Sequence, residues 1–159
     1  LSFLNGMKCY RTFSSAETKK FAKAFSKKVL RGEPRTNALV IGLRGPLGSG
    51  KTTFIQGFFR GVGIKKRALS PTFILLRRVK LKKRTFKHLF HIDAYRLRGP
   101  QGLLKLGLRE ILLSPEHIVL IEWADKIKKV LPKSTVWLNF KHGRKENERT
   151  IRASVPIYE

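Results

Sequence analysis

Hydrophobic residues recur every four positions in the segment after residue 13, and lysines occupy the other faces at Lys19, Lys20, Lys23, Lys27 and Lys28. The apolar stripe consists of Phe21, Phe25 and Val29. Ser14 followed three residues later by Glu17 is a capping-box pattern, in which the two side chains satisfy free backbone amides at a helix start. Gly32 and Pro34 are typical of a helix end. The pattern therefore predicts an amphipathic helix between these signals.

Two short runs, 38–43 and 118–121, are apolar at almost every position. Such runs are typical of strands buried on both faces of a parallel sheet. Four further strands are predicted at Thr72–Leu76, Thr85–Ile92, Val136–Leu138 and Thr150–Val155. Helices are predicted at 51–60, 100–112 and 124–131, the second with Leu103, Leu104, Leu106 and Leu108 as inward-facing candidates. The alternation predicts an α/β fold with a mainly parallel central sheet flanked by helices.

Length and composition fit one domain, because 159 residues with 42% hydrophobic side chains can bury a single core. We assign the domain to residues 14–155, with an N-terminal extension over 1–13 and a tail over 156–159. No apolar run approaches the ~18 residues of a membrane span, and residues 1–8 lack the pattern of a secretory signal. The single Cys9 excludes an intramolecular disulfide framework. These features predict a cytoplasmic protein without a membrane partner.

A glycine-rich segment, Gly45–Thr52, separates the first apolar run from the helix predicted behind it. It fits G-x-x-x-x-G-K-[ST], whose glycines let successive amide groups point inward around phosphate oxygens. Unpaired amides at the start of the following helix strengthen such a site. Lys51 would supply a charge for the β- and γ-phosphates, and the Thr52 hydroxyl would coordinate Mg²⁺. We therefore predict a P-loop NTPase-like fold.

Acidic residues follow two predicted strands, at the place where open α/β sheets bind ligands. Glu122 ends the run 118–121 in the position of a metal-holding Walker-B carboxylate, with a surface glutamate as the plain alternative. Asp93 is either an acid of the ligand site or the cap of a turn. Trp123 either flanks the nucleotide or only packs against the protein around the site. The guanine-reading pattern Asn/Thr-Lys-x-Asp is absent, which favours ATP. Without metal-ligand spacing, core or surface positions are predicted for His88, His91, His117 and His142.

Four segments together resemble the TsaE family (also called YjeE), the small bacterial P-loop ATPases of tRNA threonylcarbamoyladenosine synthesis. The segments are Gly45–Thr53, Ser70–Phe73, His91–Leu97 and Ile121–Trp123. In that family the corresponding patterns read G-D-L-G-A-G-K-T-T, S-P-T-F/Y, H-x-D-x-Y-R-L and I-E-W. Order and spacing match over residues 14–155.

The resemblance implies that ATP and Mg²⁺ are the ligands, and that the protein acts on a complex of the TsaD and TsaB proteins rather than transferring the threonylcarbamoyl group itself. It implies catalytic roles for Lys51 and Asp93 and metal ligation by Thr52 and Glu122. Contacts with the nucleotide are expected from Ser15, Leu47, Gly48, Ser49, Gly50, Lys51, Thr52, Thr53, Thr72 and Trp123. ATP turnover is expected to be slow until the partner proteins activate it.

Two departures separate this chain from the family pattern. Pro46 replaces the acidic residue of the phosphate-binding loop, and Arg77 and Arg78 replace acidic residues after S-P-T-F. Neither change touches Lys51 or Thr52, so the prediction of nucleotide binding stands. Two other hypotheses remain open, namely a basic RNA-binding nucleotide switch and a small P-loop kinase.

The chain is strongly basic. It contains 35 Lys and Arg residues and 10 Asp and Glu residues, which give a formal net charge of +25. The segment 65–87 contains no acidic residue and ten basic ones: Lys65, Lys66, Arg67, Arg77, Arg78, Lys80, Lys82, Lys83, Arg84 and Lys87. Three of them, 82–84, are predicted at the turn between two strands. This segment is either a solvated hairpin or a contact surface for tRNA phosphates.

Overall fold

Seven strands form one sheet within the residues that the computed structural model describes, which are 7–32, 35–66, 75–83 and 85–154. In chain order the strands are β1 Met7–Thr12, β2 Leu39–Arg44, β3 Leu76–Lys80, β4 His88–Asp93, β5 His117–Glu122, β6 Val136–His142 and β7 Arg149–Ser154. The helices are α1 Ser15–Leu30, α2 Lys51–Gly61, α3 Gln101–Lys105, α4 Leu108–Leu113 and a 3₁₀ helix, Ala124–Val130. The order of strands across the sheet is β1-β7-β6-β2-β5-β4-β3.

The four central strands, β6, β2, β5 and β4, run parallel, while β1, β7 and β3 run antiparallel to their neighbours. Strands β2 and β5 are buried at all but one of their positions, and only apolar side chains suit both faces of such strands. The predicted α/β fold with a mainly parallel central sheet is confirmed. Because parallel strands end at the same edge, the segments that follow β2, β4 and β5 meet there.

Helices cover both faces of the sheet and bury two apolar clusters. Side chains alternate along each strand, so Leu39 and Ile41 face α1 and α2, whereas Val40 faces α3, α4 and the 3₁₀ helix. Helix α1 begins as predicted, because the Glu17 amide donates to Ser14 Oγ at 3.1 Å. The Glu17 carboxylate accepts from the Phe13 amide at 2.8 Å, one residue further back than in the usual capping box.

The assignment of residues 1–13 to an extension is wrong where the structure describes them, because Met7–Thr12 forms the edge strand β1 and pairs with β7 from Met7↔Ser154 to Thr12↔Arg149. The partner strand lies at the other end of the chain, so no local pattern indicates the pairing. Residues 1–6 and the predicted tail 156–159 lie outside the described ranges.

The single helix predicted over 100–112 is wrong, because the chain forms two short helices separated at Gly107, which adopts a left-handed φ of 87°. The break turns Leu106 outward to 54% exposure, although it was a candidate for the core. Leu103 and Leu108 are fully buried as predicted. The helix predicted over 124–131 is a 3₁₀ helix that ends at Val130.

The predicted strand Thr72–Leu76 lies mostly outside the described residues, and β3 runs from Leu76 to Lys80, into the basic stretch that was predicted to lie between two strands. These residues pair with β4 from Leu76↔Ile92 to Lys80↔His88. Lys82 and Lys83 follow β3 in the connection to β4 and are exposed. None of the described helices has both the length and the apolar composition that a membrane-spanning helix needs.

Candidate nucleotide-binding site

The segment between β2 and α2 folds into a tight loop that only glycine can make at its ends. Gly45 has a φ of 148° and its α-carbon packs so closely against the Phe140 carbonyl that a side chain would collide with it. Gly50, directly before α2, has a φ of 100° and occupies its N-cap without a side-chain cap. The first amides of α2 therefore stay available to an anion at the dipole's positive end.

Lys51 extends back over this loop instead of into solvent. Its residue is 5% exposed, and Nζ donates to the carbonyl oxygens of Gly45 at 2.7 Å and Pro46 at 2.9 Å. The ammonium group also lies 4.2 Å from the centroid of the Trp123 ring. Burial lowers the pKa of Lys51, while the charges of Glu122, Asp125 and Asp93 oppose that shift. A polyphosphate at this position would favour the charged ammonium form.

Glu122 lies at the end of β5, and its two carboxylate oxygens contact different elements, α2 and β4. Thr52 Oγ1 donates to Glu122 Oε2 at 3.3 Å, and His91 Nε2 lies 3.0 Å from Glu122 Oε1. Glu122 is 3% exposed and His91 is fully buried, with His91 Nδ1 lacking a partner among the described residues. The His91 ring thereby fixes the carboxylate that faces Thr52.

Asp93 lies beside Glu122, because the two residues are paired in the register of β4 and β5. Its Oδ1 accepts a hydrogen bond from the Tyr95 amide at 2.9 Å, which is the contact of a turn cap. Asp93 also lines the same cavity as Glu122. Asp93 therefore both caps a turn and lies at the cavity. Its predicted catalytic role stays a prediction.

A cavity of about 430 Å³ opens over the loop and collects most of the predicted site residues. Those lining it are Ser15, Leu47, Gly48, Gly50, Lys51, Thr52, Thr53, Asp93, Glu122 and Trp123. Ser49 belongs to the loop but is fully buried and does not line the cavity. Thr72 and the rest of Ser70–Phe73 lie outside the described residues. Trp123 forms part of the wall in a left-handed conformation with a φ of 56°.

Sequence analysis missed His91 as part of this site, because it was assigned to the core or the surface. The signal was its position two residues before Asp93, since strand alternation places residues 91 and 93 on the same face. Asn147, in the turn between β6 and β7, and Arg149, the first residue of β7, also line the cavity. That turn comes from the far end of the chain, so only the fold brings it to the loop.

Thr52 and Glu122 present oxygen atoms side by side, which suits Mg²⁺ as a hard cation. No group of three or more His, Cys, Asp or Glu side chains suited to a metal occurs in the described part of the chain. Mg²⁺ commonly takes one or two protein ligands and completes its shell with phosphate oxygens and water. The residues present therefore fit a cation that is bound together with a nucleotide.

Comparison with known sequences gives one consistent family. The family model described as "Threonylcarbamoyl adenosine biosynthesis protein TsaE" matches residues 12–151. A tRNA threonylcarbamoyladenosine biosynthesis protein TsaE of Rickettsia bellii is 38% identical over 129 residues, which cover 80% of this chain and 82% of the relative. The protein of that name from Bacillus subtilis is 34% identical over 151 residues, covering 94% and 88%.

The fold agrees with a solved structure, the crystal structure of Bacillus subtilis YdiB. The TM-score is 0.73 at 29% sequence identity, and the match covers 96% of this chain and 87% of the other. The family match spans most of the chain, from the end of β1 into β7, and includes the segments from β2 to β7 that line the cavity. This chain belongs to the TsaE family of tRNA threonylcarbamoyladenosine biosynthesis proteins.

Proposed function

We propose that this protein binds ATP with Mg²⁺ and hydrolyses it in the service of tRNA threonylcarbamoyladenosine formation. It would act on the complex of TsaD and TsaB in the cytoplasm, where tRNA is modified, and would not transfer the threonylcarbamoyl group itself. The observation that carries the proposal is one cavity that joins the loop lysine, Lys51, to the Thr52–Glu122 pair and to Asp93.

The residues around this cavity divide the work of phosphoryl transfer to water. The loop amides and Lys51 bind the phosphates, and the low exposure of Lys51 strengthens its attraction for them. Asp93 orients the water that attacks the γ-phosphorus, and the bond to the β,γ-bridging oxygen breaks with ADP as the leaving group. Trp123 and Tyr95, whose rings lie 5.0 Å apart, both line the cavity.

Thr52 and Glu122 would hold the metal, and His91 keeps the Glu122 carboxylate in place. Bound Mg²⁺ would supply positive charge that offsets the negative charge of the phosphates. The fit rests on two neighbouring oxygen atoms, the Thr52 hydroxyl at the start of α2 and a carboxylate oxygen of Glu122 at the end of the buried strand β5.

The proposed activation by a partner rests on exposed residues that line the cavity near Asp93. Tyr95 and Arg96 are exposed residues of the segment after β4, and both line the cavity. A partner surface that contacts this segment and Ser70–Phe73 would complete the stabilisation of the transition state. Missing stabilisation by an arginine can cost about 10³–10⁵ in rate. The isolated protein is therefore expected to turn ATP over slowly.

The test measures ATP turnover by the purified protein alone, with the TsaD–TsaB pair, and with the pair plus tRNA. We expect slow turnover alone and a strong increase with the pair. The variant Lys51→Ala should fold but lose binding of Mg·ATP, whereas Lys129→Ala, which removes an exposed lysine outside the cavity lining, should bind ATP as the wild type does. Fast turnover without a partner, or ATP affinity unchanged in Lys51→Ala, would overturn the proposal.

A further inference from the structure

Helices cover both faces at the centre of the sheet, but one face of β1, β7 and β6 has no described helix over it. The opposite face of these strands packs against α1 and α2 through residues such as Phe140 and Ile151. The apolar cluster under α3, α4 and the 3₁₀ helix contains no residue of β1 or β7, and from β6 it includes only the partly buried Trp137. We define the open face as the outward surface formed by Arg11, Trp137, Asn139, Lys141, Thr150 and Arg152, all of them exposed or half-buried.

The open face carries positive charge that no carboxylate of its own strands offsets. The strands β1, β6 and β7 contain neither Asp nor Glu. Arg11, Lys141 and Arg152 are exposed. In the part of the chain that the structure describes, none of these three cations forms an ion pair, since the pair recorded there is His91–Glu122. The charge complement of this surface is therefore an anion from outside the described residues.

The register of the three strands fixes the spacing of these cations. Thr150 pairs with Arg11 on β1 and with Lys141 on β6, so the two basic side chains flank it. Arg152 lies two positions further along β7 and therefore on the same face. Neighbouring strands lie about 4.8 Å apart and diagonal neighbours about 7–8 Å apart, so the three cations form a triangle with sides of about 7–10 Å. A ligand with repeated negative charges can contact all three at once.

Arg44 extends the open face toward β2 with a guanidinium that is already oriented. Its Cζ lies 5.4 Å from the centroid of the Trp137 ring, and its Nε donates to Asn139 Oδ1. Lys128 Nζ approaches the same ring at 6.0 Å from its centroid. Stacking and the hydrogen bond hold the plane of the Arg44 guanidinium, and a planar fork of this kind fits the oxygens of a phosphate group.

We propose that the open face binds the sugar–phosphate backbone of RNA. Arg11, Arg44 and Arg152 suit this ligand, because arginine binds phosphate oxygens through two parallel hydrogen bonds. The surface lies toward the β1 end of the sheet, whereas Lys82 and Lys83 follow β3 at the opposite end. The contact needs no nucleotide in the cavity, so the inference goes beyond the proposed function. A tRNA is the appropriate probe, because the chain belongs to a family of tRNA threonylcarbamoyladenosine biosynthesis proteins.

The experiment measures binding of a fluorescently labelled tRNA transcript to the isolated protein, as anisotropy at several salt concentrations. The variant with Arg11→Ser, Lys141→Ser and Arg152→Ser removes the triangle of cations. Each phosphate contact contributes about 0.7–0.9 to the slope of log K against log salt, so the slope should fall by about two to three. Mg·ATP affinity should stay at the wild-type value, because none of the three residues lines the cavity.

The matched control carries Lys20→Ser, Lys23→Ser and Lys27→Ser, which removes the same charge from the exposed side of α1. Its slope should differ from that of the wild type by less than about one. An unchanged slope in the first variant would overturn the proposal, and so would equal flattening in both variants, because the effect would then belong to the net charge. If the first variant fails to fold by circular dichroism, Arg152→Ser alone carries the test, with a slope lower by about one.

Trp137 gives a second measurement that does not depend on removing charge. The chain has two tryptophans, so Trp123→Phe leaves Trp137 as the single source of tryptophan fluorescence. Addition of unlabelled tRNA should change this emission, with or without Mg·ATP, because the ring lies on the open face beside Arg44. Emission that stays constant while the labelled tRNA binds would place the RNA elsewhere and overturn the proposal.

Poly-L-glutamate tests whether the open face prefers an acidic protein. It should bind more weakly than tRNA at the same salt concentration, because a flexible polypeptide loses conformational freedom on binding whereas a folded tRNA presents its phosphates already in place. Binding of poly-L-glutamate as tight as that of tRNA, with equal weakening in the first triple variant, would make the open face a site for acidic proteins and overturn its assignment to RNA.

Discussion

The Glu122 carboxylate is held at both of its oxygens, because each oxygen has its own hydrogen-bond partner. Oε2 faces Thr52 and Oε1 faces the fully buried His91. Asp93 is less enclosed, since it is only half-buried and its Oδ1 accepts from the Tyr95 amide. The two acids are neighbours in the sheet, and in the proposed function Glu122 would hold the metal while Asp93 would orient the attacking water.

Glu122→Gln and Asp93→Asn should separate ATP binding from turnover. Each keeps the size of the side chain and removes a charge, so ATP should still bind while hydrolysis falls by about 10²–10³. The amide oxygen of the new asparagine can still accept from the Tyr95 N–H, so a loss of turnover in Asp93→Asn cannot come from a broken turn. The measurement is steady-state ATPase activity beside equilibrium ATP binding, both with the TsaD–TsaB pair. Wild-type turnover in Asp93→Asn would reduce Asp93 to a turn cap.

His91→Leu should weaken the metal site without touching the phosphate-binding loop. In this variant an apolar leucine side chain fills the buried position, and Glu122 Oε1 loses its partner. Loss of such an outer contact typically costs about 10–100-fold in metal affinity. Titration of Mg²⁺ at fixed ATP should show a higher concentration at half-saturation, while binding of metal-free ATP stays unchanged. An unaltered Mg²⁺ titration would show that Glu122 needs no support from His91.

Helices α1 and α2 approach each other through small residues. A Cβ on Gly57 would lie 2.7 Å from Lys19 Cα and 2.9 Å from Ala22 Cβ, and Gly61 faces Ser26 in the same way. Both helices begin at the cavity, α1 behind Ser14 and α2 at the phosphate-binding loop. Their close contact therefore sets the distance between two walls of the site.

Gly57→Ala should destabilise the protein even though alanine favours helix more than glycine does by about 1 kcal/mol. The added methyl group meets the backbone of α1, which cannot move aside without shifting the whole helix. Overpacking of this kind costs about 1–3 kcal/mol in the free energy of unfolding, measured with denaturant.

Gly102→Ala in α3 is the control for that substitution, because the new methyl group would meet only Leu97 Cδ2 at an ordinary 3.7 Å. This variant should be neutral or more stable. Equal effects of the two substitutions would mean that helix propensity, and not the contact between α1 and α2, determines the stability at Gly57.

The net charge of +25 is spread over several surfaces of the molecule. The connection between β3 and β4 presents the exposed Lys82 and Lys83, while Arg84 lies outside the described residues. Helix α1 presents a second basic face with Lys20, Lys23 and Lys27 exposed. A test for a tRNA-binding surface must therefore separate the effect of one basic surface from the effect of the net charge of the whole protein.

Replacing Lys82, Lys83 and Arg84 with Ser should flatten the salt dependence of tRNA binding by the complex assembled with TsaD and TsaB. Contact with about six to ten phosphates predicts a loss in affinity of roughly 10³–10⁵ between about 50 and 200 mM salt. Removing three contacts should lower the slope of log K against log salt by about three. ATP affinity should not change, because Lys82 and Lys83 lie outside the cavity lining.

The matched control replaces Lys20, Lys23 and Lys27 with Ser, which removes the same charge from α1. It should leave the slope near the wild-type value if the connection between β3 and β4 contacts tRNA. Equal flattening by both triple variants would attribute the salt dependence to net charge, and an unchanged slope in the first variant would make the connection a solvated hairpin.

The central sheet and the phosphate-binding loop could be predicted from the sequence alone, because both depend on neighbours in the chain. Strands β2 and β5 need apolar residues at nearly every position, and the loop needs glycine at Gly45 and Gly50 next to Lys51 and Thr52. The start of α1 is local in the same sense, since Ser14 and Glu17 satisfy amides within one turn.

Whatever joins distant parts of the chain depends on the folded molecule instead. Strand β1 forms because β7, near the other end of the chain, offers it a partner, and β3 takes its bounds from β4. The bond from His91 to Glu122 and the approach of Arg149 to Gly50 depend on strand order and register. A local pattern carries no information on which distant strand supplies the partner, so the contact of His91 with Glu122 and the position of Arg149 beside the loop became visible only in the tertiary structure.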